Sequence, residues 1–116
     1  MAIPSGSGTE VLKRGFFTVT GTSDTKILDG VANHIYTVLS ISFCEVAGAA
    51  ETFDLFLDPS AGGTDYEIIS DQALAAHKTF IYNDRIVLSG TDELNFKAGG
   101  SCNIDIVINY IDQDWT

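Results

Sequence analysis

The groups of this chain that could do chemistry are two histidines, two cysteines and sixteen acids. His34 opens a strand-like run, and His77 sits in a polar stretch before another. Nucleophilic catalysis needs a Ser or Cys beside a histidine that an acid orients. No GxSxG elbow and no activated-cysteine context is present, so both histidines read as strand-edge donors to backbone or water. Cys44 and Cys102 form no CxxC and the histidines no HxxxH, so no pair has zinc-ligand spacing; the two thiols could form one disulfide, with free buried cysteines the expectation for a domain of this size. Asp58, Asp65 and Glu67 flank a Gly-rich loop, and Asp112 and Asp114 lie near the end, but the calcium-loop pattern is missing. These acids read as turn formers. Carboxylate pairs for glycoside hydrolysis depend on spatial separation, which sequence leaves open. The glycines at 6–8 and 62–63 lack the Lys and the strand–helix setting of a phosphate loop. The expectation is a non-enzyme with no metal and no cofactor.

Charge narrows the partners. Six basic residues against 16 acidic ones give a net charge of −10, and the one basic pair is Lys13-Arg14. Phosphate backbones and anionic headgroups attract Lys and Arg, so neither nucleic acid nor a membrane surface is an expected partner. No apolar run nears the roughly 20 residues of a spanning helix. The opening MAIPSGSGTEVLKRG lacks the apolar core of a signal peptide, so assembly in a cytoplasm-like compartment is expected unless another route exports the chain.

The elements that must position any site are strands. A 45% hydrophobic, 19% charged chain of 116 residues with 11 Gly and 2 Pro is globular, single-domain and rich in turns. Residues 1–14 are expected to form an extended N-terminal arm, and 15–116 one domain. Within 10–20, Gly15 reads as a bend between two short pieces. Run 34–44 alternates, with Ile35, Leu39, Ile41 and Phe43 on one face and Tyr36, Val38, Ser40 and Ser42 on the other. Run 52–58 sets Phe53, Leu55 and Leu57 against Asp54, Phe56 and Asp58. DQALAAH (71–77) is either a helical turn or an irregular crossover. KTFIY and RIVLS around Asn83-Asp84 read as a hairpin. The closing run places Ile104, Ile106, Ile108 and Tyr110 together, opposite Asp105, Val107 and Asn109. About eight short strands predict an all-β, two-sheet antiparallel sandwich, jelly-roll-like, with a closed barrel as the alternative.

With no reaction in view, interest moves to surfaces. Phe56 between Asp54 and Asp58, and Tyr36 among polar neighbours, read as exposed anchors for a partner, the aromatics that interfaces favour. Trp115, the penultimate residue, must dock on its own domain or on a neighbour to repay its apolar area. Ile3 and Pro4 in the leader follow the same logic, and Lys13 and Arg14 complete the arm's candidate contacts.

The runs NHIYTVLSISFC, AETFDLFLDPSAGG, ALAAHKTFIYNDRIVLSGTDELNFKA and SCNIDIVINYID, across about residues 30–112, resemble small β-sandwich structural proteins of tailed bacteriophages, marine ones in particular. That resemblance implies a virion component. Its foremost form is a capsid decoration (cement) protein, a homotrimer that binds the major capsid protein through an N-terminal arm. The alternative it implies is a tail or fibre module that recognises a receptor or carbohydrate.

Overall fold

A computed structural model describes residues 9–115. Nine strands follow one another: β1 (Thr9–Val19), β2 (Thr25–Asp29), β3 (His34–Glu45), β4 (Glu51–Asp58), β5 (Tyr66–Leu74), β6 (Thr79–Tyr82), β7 (Ile86–Ser89), β8 (Glu93–Ala98) and β9 (Ile104–Asp114). One 3-10 turn, Pro59–Ala61, follows β4. The strands build two antiparallel sheets. The first runs β1-β9-β3-β6 with β7 also on β3, and the second runs β2-β8-β4-β5. Each sheet interleaves strands from opposite ends of the chain, the signature of a jelly-roll sandwich. The all-β jelly-roll expected from the alternating runs is the fold observed.

Burial follows the alternation where the ladder is unbroken. On β9, Ile104, Ile106 and Ile108 are fully buried. Phe43 from the first sheet stacks on Phe53 and Phe96 of the second, with ring centroids 4.6 and 5.6 Å apart. Phe80 closes this group edge-on against Phe53 at 5.7 Å. Such aromatic pairs join the two layers of the sandwich.

Several expectations need correction. Residues 9–14, assigned to the arm, are the first half of β1 and pair with β9 from Thr9↔Asp114 onward. The partner strand lies about a hundred residues away, so no local pattern revealed the pairing. Gly15 does not bend β1. A Cβ there would meet Ile108 Cγ2 at 3.1 Å, so glycine serves close packing over β9. Residues 71–74 of the DQALAAH segment extend β5 rather than turning as a helix. Finally, β6 and β7 do not pair with each other. Both pair with β3, β6 along 41–44 and β7 along 35–38, as two halves of one broken edge strand.

The largest difference lies inside β3. A register shift between Val38 and Ser40 against β9 inserts Leu39 as a bulge. One extra residue inverts the alternation. Tyr36 and Val38 therefore face inward with Ile41 and Phe43, and Val38 is completely buried.

Candidate interaction surface

The structure places the expected contact residues unevenly. Ile3 and Pro4 lie outside the described residues. Tyr36 is buried by the bulge, against Tyr110 at 5.3 Å. Phe56 is buried too, at 6% exposure. It sits on an interior strand, flanked by Asn95 on β8 and Glu67 on β5, so neighbours cover it from both sides. The exposure expected for Tyr36 and Phe56 is thereby corrected, and Val38, read on the same face as Tyr36, is buried with it. Trp115 is half-buried, and its backbone N–H donates to Asn33 O at 2.9 Å, tying it to its own β2–β3 turn. Cys44 and Cys102 are both free and half-buried, and burial pushes the Cys102 thiol up.

Lys13 leads to a polar cluster at one end of the sandwich. Its Nζ donates to Asp112 Oδ2 at 2.7 Å, and His34 Nδ1 lies 2.7 Å from Asp112 Oδ1. Asp112 continues the inward isoleucine face of β9 and is 3% exposed. Burial alone would raise its carboxyl, but the Lys13 ammonium and the His34 ring outweigh that and hold it below the ordinary range. His34 Nε2 faces Asp114 at 3.5 Å, so both ring nitrogens are turned to carboxylates. This geometry clamps β1, β3 and β9 together. A second buried acid, Glu45, accepts backbone N–H bonds from Ala47, Gly48, Ala49 and His77 at 2.8–3.3 Å. It locks the β3–β4 turn to the β5–β6 turn. Among the described residues no group of three or more His, Cys, Asp or Glu is placed to hold a metal ion.

The outer face of the five-stranded sheet is where apolar side chains gather in the open. Cross-strand register lines up Phe16, Val107, Ser42 and Ile81 as one rung. Leu12, Ile111, Thr37 and Val87 form another. Leu12 (74%), Phe16 (65%), Ile81 (60%) and Val87 (52%) are strongly exposed. Between the rungs runs a polar one, in which Asn109 donates to Ser40 Oγ at 3.0 Å. The Arg14 guanidinium lies 4.9 Å from the Phe16 ring centroid, a cation–π contact. A shallow hollow lined by Leu12, Lys13, Arg14, Phe16 and Asn109 opens there. The outward strand positions of this face carry Glu10, Arg14 and Asp105 as their charges. The outer face of the other sheet carries Asp29, Asp54, Asp58, Glu67 and Glu93 against Lys26 and Lys97. One side of the sandwich is acidic and the other close to neutral and apolar.

Sequence reasoning missed this face. The signal was available in Leu12, Arg14 and Phe16 at period two, with Val107 and Ile111 at alternate positions of β9. Treating 10–14 as arm hid it.

No family model matches the sequence, and no curated protein matches it. Solved structures do share the fold. A chain from Bacillus endospore appendages, described as a family of disulfide-linked pili, superposes with a TM-score of 0.59 at 14% identity, covering 100% of this chain and 97% of that one. A chain of the acid-stable capsid of the Helicobacter pylori bacteriophage KHP30 gives 0.53 at 8% identity, covering 95% of each. A chain of infectious bursal disease virus, Gx strain, gives 0.53 at 11%, covering 96% of this chain and 34% of that one. The protein is a jelly-roll sandwich structurally similar to viral capsid chains and spore-appendage pili. At these identities the likeness is one of fold.

Proposed function

We propose that this protein is a non-enzymatic structural component of a virion, a decoration protein that binds the outer surface of the capsid and stabilises the shell. The observation that carries the reading is the neutral, apolar outer face of the five-stranded sheet on an otherwise acidic chain. Exposed apolar rungs of this kind mark interaction surfaces. The fold is shared with capsid chains, which fits assembly in a virion or another extracellular structure. The partner this reading names is the major capsid protein. Each copy would bury its rungs against the shell, worth roughly 25 cal/mol per Å² before association costs. Many symmetry-related copies would then add up by avidity.

The test is binding to capsid particles that lack this protein. Occupancy should reach hundreds of copies per particle, and Phe16→Ser with Ile81→Ser should abolish it while the melting temperature stays nearly unchanged. Full occupancy by that variant would overturn the assignment of the face. A handful of copies per particle would favour the second reading, a tail or fibre module that recognises a host carbohydrate. One observation favours that reading: Tyr66, 59% exposed, stands beside the 59–65 loop as an open aromatic platform.

A further inference from the structure

The edges of the two sheets are unequally protected. An edge strand offers unpaired N–H and C=O groups to any other strand, and proteins blunt such edges with short strands, breaks and bulges. Here β2 has five residues and a register shift between Lys26 and Leu28. On the opposite edge of its sheet, β5 carries two register shifts, and Asp71 adopts φ 49° with its N–H bound to the Asp54 carboxylate. The β6/β7 edge is split at residues 83–85. Among the edge strands of the described residues, β1 alone is long and has neither break nor bulge. It runs 11 residues in unbroken register with β9, without proline, and residues 9–14 are all exposed. Its Lys13 ammonium is held by Asp112 and does not guard the edge.

We infer that β1 is an interface that pairs antiparallel with β1 of a second copy of this chain, about a two-fold axis through Leu12. The register follows from parity and charge. A two-fold axis normal to the sheet keeps outer side chains on the outer face, so paired residue numbers must sum to an even value. A sum of 28 sets Arg14 against itself, 26 sets Lys13 against itself, and 20 sets Glu10 against itself; each opposes like charges. A sum of 22 leaves Glu10 facing Leu12, and sums of 30 and 32 leave Arg14 facing Phe16 and Thr18 with Glu10 beyond the ladder. A sum of 24 places Leu12 against Leu12 of the partner subunit and Glu10 against Arg14 of the partner subunit, twice by symmetry. The most exposed large hydrophobic residue of the described chain is thereby covered, and both outward charges of the segment 9–15 are matched. The joined sheets bring the apolar rungs of two copies side by side. This pairing stands apart from capsid binding, since it requires nothing but a second copy.

Light scattering on the purified full chain tests it. At roughly 100 µM, above the dissociation constant of a weak interface, the mass should be twice the 12.4 kDa of one chain. Arg14→Glu, which opposes acids at both ends of the ladder, should weaken dimerisation by about tenfold or more. The double variant Glu10→Arg/Arg14→Glu should restore it, and thermal melts should confirm that both variants fold. Amide exchange across 9–15 should slow as concentration rises. A monomer at that concentration, a trimer, or a dimer indifferent to the charge reversals would each overturn the inference. Loss of capsid binding with an intact dimer would fault the functional reading instead.

Discussion

Glu45 shows how much one buried side chain organises. Its carboxylate takes four backbone N–H groups that two turns would otherwise leave unpaired. Burial works to raise its carboxyl, but the four donors outweigh it and hold the group below its usual range. A depressed folded value means the stabilisation is present above the unfolded value of about 4.3 and is lost as pH falls through the folded one. Glu45→Gln should therefore lower the melting temperature at pH 7, with the gap to the native chain closing on acidification. Melts at a series of pH values check this. A constant gap down to pH 2 would mean that the carboxylate's charge contributes nothing. Asp112, held down by Lys13 and His34, has the same sign and adds to the same acid limb.

Among the elements, the two faces of the five-stranded sheet differ in kind, and equal substitutions separate them. Phe43→Ala removes the ring that stacks on Phe53 and Phe96 across the layers, and should cost about 3–5 kcal/mol in urea titration. Phe16→Ala on the outer face should stay within about 0.5 kcal/mol. The sequence made the inner face of β9 plain, because Ile104, Ile106 and Ile108 alternate without interruption. It did the same for Phe53 and Leu55. It misassigned Tyr36 and Val38, because the bulge at Leu39 is a mismatch with β9 that no glycine or proline announces. The turn at Asn83-Asp84 was legible as a break, but its strands' choice of β3 over each other is a non-local matter. The exposed rungs were hidden for a related reason. Period two puts Leu12 and Phe16 on one face, but that this face continues through Val107 and Ile111 follows only from the pairing of β1 with β9.

At the scale of the whole molecule, a net charge of −10 works against compactness. Raising salt from about 0.01 M to 0.15 M shortens the Debye length from roughly 30 Å to 8 Å and screens that repulsion. The melting temperature should rise over this range. A fall would show that the ion pairs Lys13–Asp112 and Lys26–Glu93 outweigh the overall field. The same asymmetry of charge would direct association to one side. Copies meeting through the four-stranded sheet would oppose acid to acid, whereas the β1 edge and the apolar rungs beside it approach at little electrostatic cost. The trimer implied by the phage resemblance and the two-fold pairing inferred from the edge predict different masses in solution.

The full-length pairing of β1 with β9 also decides how the molecule carries force. Thr9 and Asp114 are cross-strand partners, so tension applied at these two points would open the ladder from one end. Antiparallel bonds lie perpendicular to the strands, and such a load meets them one at a time, like a zipper. Load entering through the broad sheet faces would be shared among many bonds at once. A tether at the ends of this sandwich would be weak, and a plate pressed against a wall would be strong.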